Sequence, residues 1–334
     1  MEELMTDDTC ATLLLCAFQG GEQEYLPLNV DEYNRVAFIL HRSGQRPGDL
    51  LEGVSISDIS LETAISQDRI EWLLDRRINL GFTLEQWYRS GIWVLSRSDP
   101  NYPMDLRKNM GNHSPPLIFG VGNQHLHRQE ALAIVGPDSI PPSRIIKAGE
   151  LVKDFIVQQR TVITIGQLKM GNLVVQNVYD HAGKVIWVLW GGHLKQRLQK
   201  PYRQAIRDGC LTMITMQSPN TPSTSREEAV VAQVATALAE EILYVDGSNL
   251  KDVTKKTDRY QVLKSAFKRS SQCRVLHGRT LSPEGQELLK AGASSWSNKN
   301  MQGDKKSSDH QSISHTRPSK GDHSSYQGDL FGEA

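Results

Sequence analysis

The sequence holds four cysteines, Cys10, Cys16, Cys210 and Cys273, and no two of them fall in a paired motif. Zinc sites and dithiol redox centres need such pairs, and disulfide scaffolds need a denser cysteine pattern. Those classes are set aside, and the thiols read as small apolar residues of a reducing cytoplasm. An excess of either charge is missing too: 38 Lys+Arg stand against 38 Asp+Glu, a formal net charge of +0. Such a chain has no global attraction for polyanions or anionic membranes, so binding of that kind must use a local basic face. Long apolar runs are absent. The run Ala11 to Phe18 is far too short to cross a bilayer, and no basic segment precedes it. The expectation is a soluble, cytoplasmic protein without membrane span or signal peptide.

Catalytic constellations are lacking as well. No activated nucleophile, no paired carboxylates and no histidine cluster with ligand spacing can be picked out. His125 and His127 flank Leu126 in a loop and read as a solvated pair. No G-x-G-x-x-G follows the first glycine-ended strand, and Pro137 removes an amide that a pyrophosphate would use. Neither catalytic residue, cofactor nor metal is expected.

What the sequence does have is a repeated unit. Ala131-Leu132-Ala133-Ile134-Val135 is an unbroken apolar run that stops at Gly136, followed by breakers and by Ser143, a candidate helix cap. Ile145, Ile146, Leu151, Val152, Phe155 and Ile156 then recur at helical spacing. A strand without polar alternation is buried on both faces, which points to a parallel sheet covered by helices. The unit recurs: Thr161–Ile165 ending at Gly166, with a helix from Gln167 to Tyr179, and Lys184–Trp190 ending at Gly191-Gly192, with a helix from Leu194 to Arg207. Further strands are expected at Cys210–Met216, Glu241–Asp246 and Cys273–His277, with helices at Ser225–Glu240, Asp258–Arg269 and Pro283–Ala291. The fold class expected is α/β, a doubly wound Rossmann-like parallel sheet. Its 334 residues suffice for that and a second module.

The first ninety or so residues read as that module, a small helical one. Asn29 caps a helix over Asp31–Leu40, Ser66–Ile78 is amphipathic, and Leu84–Tyr88 is a further short helix. No basic stripe singles out a helix for reading DNA. Three domains follow from this: a helical module over 1–90, the α/β domain over 91–293, and a tail over 294–334. The tail is rich in Ser, Lys, Asp, His and Gly, a composition that does not repay the entropy of ordering, so it reads as disordered.

Between the module and the repeats lie Asp99-Pro100-Asn101-Tyr102-Pro103 with Leu106, then Pro115-Pro116-Leu117-Ile118-Phe119 with Gly122-Asn123, then the Ala131–Gly136 strand. In that order and at that spacing the segment resembles the DNA-processing protein A (DprA/Smf) family, over about Gly91 to Ala293. The resemblance implies a Rossmann-type core that binds single-stranded DNA, commonly as a homodimer. It further implies a protein that passes that DNA to a RecA-type recombinase and is not an enzyme. Relatives in mobile-element and antiphage settings extend the expected role from DNA processing and recombination to defence.

The chain departs from the family pattern where phosphate would be held. Pro137-Asp138 stand where the family has a small residue and an arginine, Met170 holds another arginine position beside Lys169, and the basic run before the fifth strand has become Ser225-Arg226-Glu227-Glu228. The residues expected at DNA phosphates are Gly136 and Ser139 after the first strand, Gly166, Lys169 and Gly171 after the second, and Arg226 before the fifth. Two basic clusters offer a surface: Lys195, Arg197, Lys200, Arg203 and Arg207 in one, and Lys251, Lys255, Lys256 and Arg259 leading the other. Each glycine equally suits a strand end, and each cluster equally suits a solvated helix face. Gln327-Gly328-Asp329-Leu330-Phe331, at the tail's end, resembles the bacterial sliding-clamp-binding pentapeptide, with Gln327, Leu330 and Phe331 as its anchors. Single-stranded DNA is the first partner expected; a second copy, a recombinase and a clamp follow. The alternative is a protein-interaction module with a decayed DNA pocket, such as the regulator or antitoxin half of a defence gene pair with a toxin partner. A nucleotide-sensing domain on the same fold is the remaining option.

Overall fold

Capping chemistry places the N-terminal helices in the computed structural model. It describes residues 5–21, 24–128, 130–137, 140–166, 169–191, 194, 198, 200–221, 228–247, 263, 265–266, 272–278 and 280–296. Helix α1 spans Asp7–Cys16, with the Thr6 hydroxyl accepting from the Thr9 amide. Helix α2, Val30–Arg42, starts at the expected Asn29 and closes a full capping box with Glu32. After a 3-10 turn at Pro47–Leu51 come α3 (Ile56–Thr63), α4 (Gln67–Asp75, capped by Ser66) and α5 (Arg77–Arg89).

The single helix expected over Ser66–Ile78 is therefore two. The break falls at Arg76, with φ −74° and ψ 19°, whose guanidinium turns inward over the Trp72 ring at 5.1 Å. It donates to the carbonyls of Leu14 and Ala17 at the end of α1. Burial pushes the Arg76 pKa down to about 10. Hydrogen bonds to a distant helix end outweigh the local periodicity here. Leu84–Tyr88, expected as a helix of its own, is part of α5.

Strand β1 (Ile92–Ser96) and β2 (Leu117–Val121) follow, with α6 (Met104–Met110) between them. The repeated units then give β3 (Ala131–Val135), α7 (Pro142–Val157), β4 (Thr161–Ile165), α8 (Lys169–Asp180) and β5 (Lys184–Leu189). They continue as α9 (Lys200–Arg207), β6 (Leu211–Thr215), α10 (Glu228–Ala237) and β7 (Glu241–Val245). The last elements are β8 (Gln272–Leu276), α11 (Pro283–Lys290) and β9 (Ser294–Trp296). The helix expected over Asp258–Arg269 lies almost wholly outside the described residues.

These strands form one nine-stranded sheet in the order β1-β2-β6-β5-β4-β3-β7-β8-β9. From β3 the chain winds outward through β4, β5 and β6, then returns to the other side of β3 with β7, β8 and β9, all in parallel. The doubly wound, Rossmann-like expectation holds, with a switch point between β3 and β7. Two features were not foreseen. The β1–β2 pair adds to β6 antiparallel, which makes the sheet mixed. Residues 294–296, assigned to the tail by composition, pair with β8, because backbone pairing needs no apolar side chains.

Alternate residues of each strand feed two cores. Leu132, Ile134, Val162, Val185 and Trp187 pack against α7, α8 and α9, and the same core takes in Leu13, Val36, Ile70 and Trp87 of the N-terminal helices. On the opposite face Ala133, Val135, Ile163, Ile165 and Val188 pack against Leu106 of α6, Val231 and Val234 of α10, and Leu288 of α11. Trp87 meets Phe119 of β2 edge-on, ring centroids 5.3 Å apart. The helical segment and the sheet thus share a core, within one compact unit. Among the described residues no helix is long and apolar enough to cross a membrane.

Candidate functional site

Open α/β sheets bind ligands outside the carboxyl ends of their strands, nearest the switch point. Here that edge is built from glycines and tryptophans. Gly166 follows β4 at φ +67°, and a Cβ there would lie 2.1 Å from the Trp190 ring. Its amide donates to Val188 O at 2.8 Å and its carbonyl accepts from the Trp187 indole N–H at 2.7 Å. In the first turn of α8, a Cβ on Gly171 would stand 2.7 Å from Gly166 O and 2.8 Å from Ile165 O. The close backbone approach expected at Gly171 is therefore present, and it is an approach of helix to strand. The Gly191 amide is likewise engaged, by Gln217 Oε1 at 2.6 Å. Gly136 is buried at the end of β3.

Ser143 does not cap α7. The helix begins at Pro142, with Pro141 at the cap position and no side-chain cap bond, because proline at the first helical position already has the required φ.

At the switch point the protein supplies its own ion pair. Arg144, from the first turn of α7, donates to the carbonyl of Asp246 and reaches its Oδ2 at 3.4 Å; it also donates to Thr280 O at 3.3 Å. Asp246, just past β7, is 0% exposed. It accepts from the Ser282 amide at 3.0 Å and from the Ser282 hydroxyl, which in turn accepts from the Gly285 amide to cap α11. A buried carboxylate thus occupies the place where an anionic phosphate would approach, and the nearby guanidinium is spent on it. Sequence reading missed the pair, since the partners lie 102 residues apart.

The outer part of the same edge belongs to β1. The register puts Val94, Phe119, Thr215 and Leu189 in one row, and β1 runs parallel to β6. The residues after Ser96 therefore emerge on the side of Gly191 and Gln217. Here the signature motifs build structure. The Asp99 carboxylate accepts from the Thr9 hydroxyl at 3.0 and 3.1 Å and from the Ser96 amide. Tyr102 is buried and donates to Pro115 O at 2.8 Å, and Ser114 donates to Leu106 O at 2.9 Å. Burial pushes the Tyr102 phenol up, while Arg97 and Arg107 pull it back. Arg97 lies over the Tyr33 ring at 5.0 Å and Arg107 over the Tyr102 ring at 5.5 Å.

Of the remaining expected site residues, Lys169 opens α8. Ser139, Arg226, Lys251, Lys255, Lys256 and Arg259 lie outside the described residues, as do Lys195 and Arg197 and the tail anchors Gln327, Leu330 and Phe331. Lys200, Arg203 and Arg207 are exposed on α9, whose Tyr202 packs inward against Trp187 at 5.6 Å. Among the described residues no group of three or more His, Cys, Asp or Glu side chains is arranged to hold a metal ion.

Sheet order, switch point and glycine-walled edge together define a Rossmann-like α/β protein. No protein-family model matches the chain, and no curated protein matches it. Among solved structures it is similar to DNA processing protein A (DprA) from Streptococcus pneumoniae. The TM-score is 0.65 at 13% identity, over 87% of this chain and 95% of that one. DNA processing protein A from Helicobacter pylori, described for its single-stranded DNA binding mode, matches at TM-score 0.47 and 15% identity over 63% of this chain and 93% of that one. The molybdenum cofactor carrier protein of Chlamydomonas reinhardtii matches at TM-score 0.34 and 15% identity, over 51% and 91%. The fold is DprA-like, and at these identities the likeness is one of fold.

Proposed function

We propose that this chain is a divergent, non-enzymatic member of the DprA/Smf family. In this reading it binds single-stranded DNA along the carboxyl edge of its sheet and serves DNA processing and recombination or defence against mobile elements. The observation that carries this is the DprA-like fold over 87% of the chain, together with the ordered motifs of residues 99–136 that fall within it. Exposed Lys200, Arg203 and Arg207 on α9, which connects β5 to β6, add a local positive charge. Segment 91–293 then carries the DNA and 1–90 braces it. A second copy, a RecA-type recombinase and a sliding clamp held by Gln327, Leu330 and Phe331 are the partners that follow from the reading.

One observation favours a second reading. The Arg144–Asp246 pair closes the switch point that a phosphate-binding relative would leave open, as expected of an interaction module whose DNA pocket has decayed. Fluorescence anisotropy with a labelled oligonucleotide separates the two. DNA binding predicts sequence-tolerant affinity that falls with salt. Neutralising Lys255, Lys256 and Arg259 together should flatten the log–log slope by about 2, at about 0.7 per phosphate contact. No binding at low salt would leave only the interaction module.

A further inference from the structure

We propose that the seam between α2 and the β1–β2 loop is a second contact for the DNA backbone, centred on Arg97 and Arg107, with Phe38 as a stacking platform for a base. This rests on the single-stranded DNA reading above and gives the strand a path from the sheet edge onto the helical segment.

Charge without a counterion comes first. Seven described arginines are bound to carboxylates: Arg42 to Glu62, Arg46 to Asp8, Arg69 to Glu32, Arg89 to Glu85, Arg144 to Asp246, and Arg160 and Arg274 to Glu241. Among the described residues Arg97 and Arg107 have no carboxylate within ion-pair distance, and both lower the pKa of the Tyr102 phenol. Arg97 lies over the Tyr33 ring and Arg107 over the Tyr102 ring, and two like charges on neighbouring rings favour an anion between them. The acids nearby are largely engaged. Asp99 accepts from Thr9 and Ser96, and Glu32 is bound by Arg69 at 2.7 Å; Asp31 and Asp105 are exposed to water.

The rings beneath the two guanidiniums, Tyr33 and Tyr102, are buried, and each guanidinium carbon lies within cation–π distance of its ring. Arg97 spends one N–H on Asn34 Oδ1 at 2.7 Å, and Asn34 donates onward to Asn112 O at 2.6 Å. Among the described residues the other N–H groups of that planar fork have no hydrogen-bond partner, and their geometry suits phosphate oxygens. Exposed Lys108 and His113 stand on the same loop and Arg35 on α2.

One helical turn beyond Asn34 is Phe38, 62% exposed on a face that also carries Arg35 and Arg42, the latter paired with Glu62. An aromatic ring among arginines is the pairing that single-stranded nucleic acid uses, the base on the ring and the phosphate on the fork. The seam also lies on the productive side of the sheet, because Arg97 leaves β1 at the edge where Gly166 and Gly191 end their strands.

The test uses the full chain and a fluorescent oligothymidylate, with affinity followed across a salt series. The Arg97→Gln/Arg107→Gln variant should lose about 1.4 from the log–log slope, or about 25-fold in affinity at 0.1 M salt. The Arg97→Lys/Arg107→Lys variant should retain most of the slope, because it keeps the charge. Phe38→Ala, which removes an exposed ring and leaves the core intact, should weaken binding at every salt concentration with the slope unchanged. Wild-type binding with an undiminished slope in the Gln variant and normal affinity in Phe38→Ala overturns the seam and leaves the functional reading standing. No binding by the wild-type chain overturns both.

Discussion

The β1–β2 loop and the loops after β3 and β4 open on the same edge of one sheet, yet they keep the DprA/Smf pattern to very different degrees. In the first, Asp99, Tyr102, Leu106, Pro115 and Phe119 all match the motifs, and each is used inside the protein: a turn carboxylate, a buried phenol, a core leucine, an accepting carbonyl and a ring against Trp87. In the second, Asp138 and Met170 stand where the resemblance implies arginines, while Gly166 and Gly171 sit where a side chain has no room. The difference separates two kinds of motif residue. The residues that match the motifs in the first loop each have a use inside the protein.

That contrast can be broken, most sharply at the switch point. Asp246→Ala leaves Arg144 buried without its carboxylate and should cost about 3–5 kcal/mol in urea or thermal unfolding. A neutral outcome would mean that the crevice is open to solvent and free for a ligand. Gly166→Ala comes next. The positive φ and the Trp190 ring should together cost about 1–3 kcal/mol by the same measurement. If stability is kept, the glycine is there for a ligand's approach after all. The smallest effect is expected from Tyr102→Phe, which removes one buried hydrogen bond to Pro115 O, about 1 kcal/mol. Retained DNA affinity in that variant would sharpen the assignment of the motif to structure, since the Arg107 ring partner survives.

Much of the fold was legible because strands buried on both faces have no alternative pattern to offer. Ala131–Val135, Thr161–Ile165 and Glu241–Val245 read as strands and are strands. The helix over Ser66–Ile78 was misread because Arg76 looks like one more polar face residue, and only the carbonyls of Leu14 and Ala17 explain its inward turn. The candidate site was less legible. The clusters that stand out in the sequence, around Lys195 and Lys255, are runs of charge, whereas Arg97 and Arg107 are single residues ten positions apart with tyrosines beneath them.

By itself, then, the sequence determined the alternation of strands and helices, the glycines that end the strands and the capped helices before them. These depend on local periodicity, φ preference and side-chain hydrogen bonds within a few residues. Only the tertiary structure decided that the β1–β2 pair widens the sheet, that Arg144 answers Asp246 across 102 residues, and that Arg97 and Arg107 each lie over a buried tyrosine ring. Such partners are chosen by the winding of the sheet, which brings distant chain segments to one edge and leaves no periodic trace in either segment.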